Sequence, residues 1–333
     1  MTYNFLIDDG GTPLTIKKIS RRILNAARYY TVPLGALIFF CVIMTIASPN
    51  FLKIDNLLNI LRQVSINGML ALAMTFVILT GGIDLSVGAL LAFTGTLAAG
   101  IISKNNFPVP LAIIIALSAG TLVGAINGII ISTSKIAPFI VTLATMNVIR
   151  GLAYIYTGGL PIRVVMPSFN VIGQGYIGPI PNPVLYFLIL YIILDFMLKR
   201  TSFGRHVYSI GDSPDASWFA GINVNRTKFF VYTLTGFITA IAGIVLSSRM
   251  YSGQPTAGQG YELDAVAACV LGGASMSGGT GRLTGTLYGA LVIGVLNNGL
   301  NILNINSFWQ LIAKGLVILL ALYLDDWKKR SME

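Results

Sequence analysis

The run VPLAIIIALSAGTLVGAINGIIIS (109–132) contains no charged residue over its 24 positions. A helix needs about 20 mostly apolar residues to cross the ~30 Å hydrocarbon core of a bilayer, so this run predicts a transmembrane helix. Gly120, Gly124 and Gly128 recur at four-residue spacing, which predicts close packing against another helix. The run therefore predicts an all-α integral membrane protein.

The rest of the chain repeats this pattern. Of its 333 residues 55% are hydrophobic and 10% are charged, with a mean hydropathy of +0.78, whereas soluble domains carry about 25% charged residues. Applying the same length criterion predicts ten transmembrane helices. They lie at 32–48, 57–79, 85–102, 109–132, 138–156, 184–198, 229–247, 262–278, 283–303 and 308–324.

The basic residues orient these spans. With a cytoplasmic N-terminus, fifteen Lys and Arg residues fall inside and four fall outside. This bias follows the positive-inside rule and predicts that both termini are cytoplasmic. The organisation is then a cytoplasmic segment at 1–30, a single transmembrane domain at 31–325 with a cytoplasmic loop at 199–228, and a cytoplasmic tail at 326–333.

Several functional classes are unfavourable. Cys41 and Cys269 lie within apolar runs and His206 is the only histidine, so we expect neither a disulfide nor a metal site. The basic residues form no stripe that would suit nucleic acid. The sequence has no P-loop for ATP and no cluster of catalytic groups, so we expect no enzymatic activity and no cofactor bound by this chain.

The stretch GDSPDASWFAGINV (211–224) is a polar interruption within the loop 199–228. It predicts a short capped helix, with a Ser-Pro start, an acidic first turn and a glycine stop. Its two adjacent aromatic residues either rest among lipid headgroups or fit a cleft on a cytoplasmic partner. The candidate residues for such coupling are Ser213, Pro214, Asp215, Trp218, Phe219 and Gly221.

GGIDLS places Asp84 at a predicted span junction on the cytoplasmic side. A buried charge in a membrane is costly, so Asp84 is expected either to cap the following helix or to lie in a gate or sugar path. Glycines at this point permit a broken helix. The candidate residues of the path or gate are Gly81, Gly82, Asp84, Ser86 and Asn67.

YELDA opens the eighth predicted span at its external end, with Glu262 and Asp264 in the first turn. These carboxylates balance the helix dipole, or receive basic residues of an extracellular binding protein, a role that only the family resemblance given below implies. The external loop 157–183 is rich in Gly and Pro and has Arg163 as its one charge. This loop is either a docking surface or a rigid connection built of turns and extended pieces.

Two acidic stretches, TGGIDLSVGALLAFTG and TAGQGYELDAVAACVLGG, have a similar order of glycines, acid and small apolar residues. They open the third and eighth predicted spans. Spans that lie an odd number apart, here five, cross the membrane in opposite directions. This pattern predicts an inverted repeat of 57–156 and 229–324.

The chain resembles the monosaccharide-type ABC importer permeases, the family of ribose, xylose and galactose permeases, from residue 48 to 325. The stretch 211–228 resembles their coupling-helix loop, although several relatives have Gly-Asn-Glu-Ala-Ala at 212–216. The other matching motifs are LTGGIDLSVGALLA (79–92), APFIVTLATMNVIRG (137–151), SGQPTAGQGYELDAVAACVLGG (252–273), GGTGRLTGTLYGALVIGVLNNGLN (278–301) and WQLIAKGLVILLALYLD (309–325).

The resemblance implies a permease subunit in a bacterial cell (inner) membrane that moves a monosaccharide, with ribose favoured, inward by alternating access. It also implies three partners: a cytoplasmic ATPase that carries ATP and Mg, an extracytoplasmic sugar-binding protein, and a second permease copy in a homodimer. The alternatives are an ion-coupled secondary sugar transporter and an ABC permease for a furanone-like signalling molecule. Acidic residues at span ends rather than mid-membrane count against ion coupling.

Overall fold

The computed structural model describes residues 33–306, 308–313, 315, 316, 319 and 323, and these are predominantly helical. The predicted segment 1–30 and tail 326–333, and part of the predicted span 308–324, lie outside the described residues. The helices are α1 Pro33–Ala47, α2 Ile54–Leu79, α3 Val87–Ser103, α4 Val109–Thr133, α5 Pro138–Thr157, α6 Pro167–Gln174, α7 Asn182–Arg200, α8 Ser202–Asp212, α9 Pro214–Phe219, α10 Val224–Arg249, α11 Tyr261–Leu271 and α12 Leu283–Ile302.

The helices α2 and α10 form the centre of the bundle. Each has 26 residues, about 39 Å at 1.5 Å per residue, and is long enough to cross a bilayer. Helix α2 packs against α7, α10, α11 and α12, and α10 packs against α2, α3, α4 and α6. An apolar helix buried on nearly all sides needs no polar stripe, which explains why these segments read as uniform hydrophobic runs.

The glycines of α4 allow its close approach to α10. A Cβ on Gly120 would lie 2.6 Å from the Cβ of Ala240, and one on Gly128 would lie 2.8 Å from the carbonyl oxygen of Phe229. Gly124 faces Gly236 of α10 in the same row. The packing predicted from the four-residue glycine spacing is confirmed.

Among the described residues, six helices are long and apolar enough to cross a membrane, namely α2, α4, α5, α7, α10 and α12, and α1 and α3 are shorter apolar helices. Eight of the ten predicted spans therefore correspond to helices of similar position. The predicted helix 262–278 is wrong in extent, because α11 ends at Leu271. Gly272 and Gly273 follow, and Gly273 has φ +84°, a conformation that ends a helix.

The external loop contains two small antiparallel ladders. Strand β1 (Ile162–Arg163) pairs with β4 (Ser252–Gly253), and β2 (Tyr176–Ile177) pairs with β3 (Ile180–Pro181). The predicted turns and extended pieces are thus present, together with helix α6, which the sequence did not predict. Ser248 of α10 donates to the carbonyl of Phe169 at 2.7 Å and fixes α6 on the bundle.

Candidate functional site

Helix α9 has the local structure predicted for 211–224. The Ser213 Oγ accepts a hydrogen bond from the Ala216 N–H at 3.2 Å, Pro214 is the first helical residue, and Asp215 lies in the first turn. Gly221 follows the helix with φ +82°, in the left-handed region that glycine adopts without strain. The six residues predicted for coupling therefore form one continuous short element.

The two aromatic side chains of α9 are uncovered. Trp218 is 65% exposed and Phe219 is 80% exposed, and their ring centroids lie 5.0 Å apart in an edge-to-face arrangement. Asp215 is exposed beside them. These three side chains form the α9 surface, a projecting patch of a kind that in monomeric proteins marks an interaction site or a membrane contact.

Helix α9 is fixed to the bundle through α8, which the sequence did not predict. The hydroxyls of Ser209 and Ser217 lie 2.8 Å apart, and Ser217 is buried. Tyr208 of α8 donates to the carbonyl of Gly281 at 2.8 Å. Burial raises the pKa of the Tyr208 phenol, which keeps the hydroxyl protonated as a donor.

At Gly211 the chain passes directly against the C-terminal end of α2. A Cβ on Gly211 would overlap the carbonyl oxygen of Leu79 and the backbone nitrogen of Gly279. These two atoms are joined by a hydrogen bond from Gly279 N to Leu79 O of 3.0 Å. The α8–α9 segment is therefore in backbone contact with the end of α2 and with the loop 272–282.

A cavity of about 220 Å³ lies between α9 and the break that follows α2. Gly81 and Gly82 line it from the break, Pro214 from α9, and Lys228 and Tyr232 from α10. One predicted coupling residue, Pro214, and two predicted gate residues, Gly81 and Gly82, thus line the same cavity. Tyr232 was not predicted, because an aromatic residue within an apolar run carries no sign of its partner.

The break between α2 and α3 is built around Asp84. Gly81 has φ +76° and turns the chain back into the bundle. Asp84 is buried, and its Oδ1 accepts from the Ser86 N–H at 2.9 Å and the Ser86 hydroxyl at 2.5 Å. The carboxylate thus binds the backbone donor directly before α3 and not an N–H of the first turn of α3, which has no side-chain cap.

Helices α4 and α5 hold this break from the other side. Asn127 donates to the Ser86 hydroxyl at 3.2 Å, and Thr145 donates to Asn127 Oδ1 at 2.6 Å. Thr142 of α5 accepts from the Leu85 N–H at 3.2 Å. Asn127 is one of the intramembrane asparagines for which the sequence leaves an interhelical hydrogen bond and a path lining open. Thr142 and Thr145 were missed, because contacts between separate spans leave no local pattern in the sequence.

Glu262 and Asp264 do not lie at an external surface, and the docking assignment of Asp264 is corrected. Asp264 is 2% exposed and accepts from Asn297 of α12 at 3.1 Å. Glu262 is half-buried, and a Cβ on Gly88 would overlap its Oε2. The first turns of α3 and α11 therefore meet inside the bundle.

Both α3 and α11 are too short to span a bilayer alone. Their 17 and 11 residues correspond to about 25 and 16 Å, less than the ~30 Å hydrocarbon core. Segment 250–260 precedes α11, and Arg150 of α5 holds it by donating to the carbonyls of Pro255 and Ala257, both at 2.7 Å. Helix α5 thus contacts the segments preceding both short helices.

Two further predicted site residues lie apart from this junction. Asn67 of α2 is buried, and neither its Nδ2 nor its Oδ1 has a hydrogen-bond partner within the described part of the chain. Arg163 is exposed on β1 at the external side. Asn67 is therefore compatible with an internal path, and Arg163 with a docking surface.

Replacing Gly88 by alanine is expected to push the first turns of α3 and α11 apart. Overpacking of this kind costs about 1–3 kcal/mol, which corresponds to roughly a tenfold loss of substrate uptake if the junction must close. Uptake into vesicles and the thermal stability of the purified protein would measure the effect. Gly35→Ala is the control, because a Cβ there meets nothing within 4 Å.

Adding Glu262→Ala to Gly88→Ala removes the Glu262 carboxylate, which the new Cβ at position 88 would otherwise overlap. We expect partial recovery of thermal stability in the double variant. Equal uptake and stability for Gly88→Ala and Gly35→Ala would contradict the contact between the two short helices.

Comparison with known proteins places these features in a wider context. The family described as "Branched-chain amino acid transport system / permease component" matches residues 56–322. The ribose import permease protein RbsC of Bacillus subtilis (strain 168) is 52% identical over 298 residues, covering 89% of this chain and 92% of that protein. That of Haemophilus influenzae is 48% identical over 296 residues, covering 88% and 91%.

A more distant relative is the xylose transport system permease protein XylH of Haemophilus influenzae. It is 37% identical over 343 residues, covering 85% of this chain and 92% of that protein. No solved structure matches the chain.

Proposed function

Because the chain belongs to the family of branched-chain amino acid transport system permease components, we propose that it carries ribose inward across a bacterial cell membrane. It is the membrane-embedded permease subunit of an ABC importer and a transport component rather than an enzyme. It works with an ATPase subunit and a substrate-binding protein. The observation that carries the choice of ribose is that relatives named for ribose import match this chain more closely than one named for xylose transport.

We propose that the α9 surface binds the ATPase. Trp218 and Phe219 are exposed on a helix too short to be stable by itself, while Ser217 fixes that helix to α8. A partner that grips both rings would therefore move α8 and α9 as one piece. Contact with lipid headgroups is the competing role for these aromatic residues.

Movement of α9 would reach the gate through three contacts. Gly211 touches the end of α2 and the loop 272–282, and Pro214 faces Gly81 and Gly82 across the cavity. Next, Thr142 connects residues 83–85 to α5. ATP-driven closure of the ATPase would thereby shift the break and α5 together, which is the conformational step that alternating access requires.

The complete transporter is proposed to be a homodimer in lipid, with ten crossings and cytoplasmic termini in each copy. The inverted repeat is supported by a pattern of reciprocal packing. Helix α2 packs on α11 and α12, which follow α10, while α10 packs on α3 and α4, which follow α2. A two-fold axis in the membrane plane would produce this exchange.

For the binding protein we propose docking on the external surface that includes Arg163. Its strand β1 is tied to the end of α3 by the Ser103 hydroxyl, which donates to the Arg163 carbonyl at 2.7 Å. Docking there would act on α3, the short helix whose other end follows the break around Asp84. The half-buried Glu262 lies beside the first turn of α3 and is not part of the proposed surface.

ATP dependence tests the proposed function. The permease, ATPase and binding protein are reconstituted in vesicles, and ionophores remove the ion gradients. Ribose uptake should continue while ATP is present and stop when ATP is omitted. Uptake driven by an ion gradient without ATP would establish the secondary-transporter alternative, and preference for another solute over ribose would overturn the choice of sugar.

A further inference from the structure

Helix α5 is the least enclosed of the six long helices. Its apolar window is 22% buried, compared with 83% for α2 and 33% for α7. One side of α5 contacts the bundle through Thr142, Ile149 and Ala153, which are buried. Its outer side is not covered by any residue that the structure describes.

The outer side of α5 carries a polar residue where lipid would require an apolar one. Asn147 is exposed and is the tenth of the twenty residues of α5, at the centre of the helix. Its Nδ2 donates to the Leu143 carbonyl at 3.1 Å, within the same helix. An amide without a further partner is unfavourable among lipid tails.

Helix α7 provides the comparison within the same chain. Its strongly exposed residues through the centre are Leu188, Ile189, Ile192 and Ile193. These are the residue types that face lipid. The exposed side of α7 is therefore explained by the membrane. On α5 the exposed neighbours Leu143, Val148 and Leu152 are apolar as well, so Asn147 is the residue that lipid contact does not explain.

Small residues flank Asn147 on the same side of α5. Ala144 precedes it by three positions and is exposed, and Gly151 follows it by four positions. A Cβ on Gly151 would meet no atom within 4 Å. The space beside the Asn147 amide is therefore open to a ligand or to another protein chain.

The inner side of α5 contacts the segments that precede the two short helices, α3 and α11. Thr142 and Thr145 hold the break that precedes α3, and Arg150 holds the segment that precedes α11. Asn147 lies between these residues along α5. A change at either junction would therefore move or rotate the Asn147 side chain.

We propose that Asn147 contacts the sugar on the translocation path, and that the path is enclosed between the α5 helices of two copies of this chain. The inference rests on the proposed function, because it deepens the account of a sugar permease. A carboxamide both donates and accepts hydrogen bonds, which suits the hydroxyl groups of a neutral sugar. The path is incomplete in one copy, because the outer side of α5 is one of its walls.

Cysteine accessibility in the complete reconstituted transporter tests this position. The background carries Cys41→Ala and Cys269→Ser, which remove both native thiols. A charged, water-soluble methanethiosulfonate should modify Asn147→Cys at least about tenfold faster than Ile189→Cys on α7, because thiols react as thiolates in water. Ribose with the binding protein should slow the reaction at position 147. Equal, slow reaction at both positions would overturn the proposal.

Transport by two substitutions supplies a second readout. Asn147→Gln keeps the amide and should retain uptake, whereas Asn147→Leu should lower kcat/KM by about fivefold or more, the effect of losing one net hydrogen bond. Binding of the ATPase should be unchanged in both variants. Normal uptake by Asn147→Leu would overturn the contact with the sugar.

The two proposals fail in different ways. If the unmodified transporter does not take up ribose with ATP, the proposed function is wrong. If it does so but Asn147→Cys reacts no faster than Ile189→Cys, only the position of the path is wrong.

Discussion

Replacing Trp218 and Phe219 together by alanine is expected to weaken the binding of the ATPase to the permease by about 30-fold or more. One aromatic hot-spot residue at the centre of an interface contributes about 2 kcal/mol or more when truncated, which is about 30-fold in the dissociation constant, and both rings are exposed on α9. Titration of the detergent-purified permease with its ATPase would give the dissociation constant. Ribose uptake should fall in parallel.

Phe196→Ala provides the matched control for this experiment. Phe196 is 63% exposed on α7, close to the 65% of Trp218, but lies on a helix whose exposed side suits lipid. Its removal should leave ATPase binding unchanged. If the Trp218 and Phe219 variant also binds the ATPase normally, these rings are lipid contacts and the coupling surface lies elsewhere.

Replacing Gly211 by alanine is expected to uncouple ATP hydrolysis from transport. The new Cβ would overlap the backbone of Leu79 and Gly279, and backbone atoms cannot turn aside as a side chain does. Strain of about 1–3 kcal/mol would separate α8 from the end of α2 and lower the number of ribose molecules moved per ATP by roughly tenfold or more. Parallel assays of phosphate release and ribose uptake would measure this ratio.

The effect of Gly211→Ala must be distinguished from general misfolding. Thermal unfolding of the purified protein should stay cooperative, at a temperature lowered by the strain, and its binding to the ATPase through α9 should remain close to that of Gly35→Ala. An unchanged ratio of ribose to ATP would show that contact between α8 and α2 does not transmit the movement. Loss of ATPase binding would show that Gly211 acts on the α9 surface itself.

Local chemistry explains which parts of the site could be predicted. The start and end of α9 depend on Ser213, Pro214 and Gly221, which interact within one or two turns. The bonds from Ser86 to Asp84 likewise span two positions. Side chains this close in sequence meet in almost any fold that keeps the local turn, so their pattern predicts their structure.

Contacts between distant segments explain the errors. The run 262–278 is apolar enough to predict a full span, yet α11 ends at Leu271, because glycine ends a helix only where packing supports the turn. The sequence shows that Glu262 and Asp264 lie at the start of a helix. It does not show how deeply that start is buried. Gly88 and Asn297, which determine their surroundings, lie 174 and 33 positions away from Glu262 and Asp264, respectively.

The sequence by itself determined that this chain enters a membrane, where most of its helices lie and how α9 is capped. These properties follow from the length of apolar runs and from neighbouring residues. Only the tertiary structure decided that α3 and α11 meet inside the bundle, that α5 holds both, and that Asn147 is left uncovered. The physical reason is that a lipid-facing and a protein-facing apolar residue have the same composition, so burial and depth are settled by packing between segments far apart along the chain.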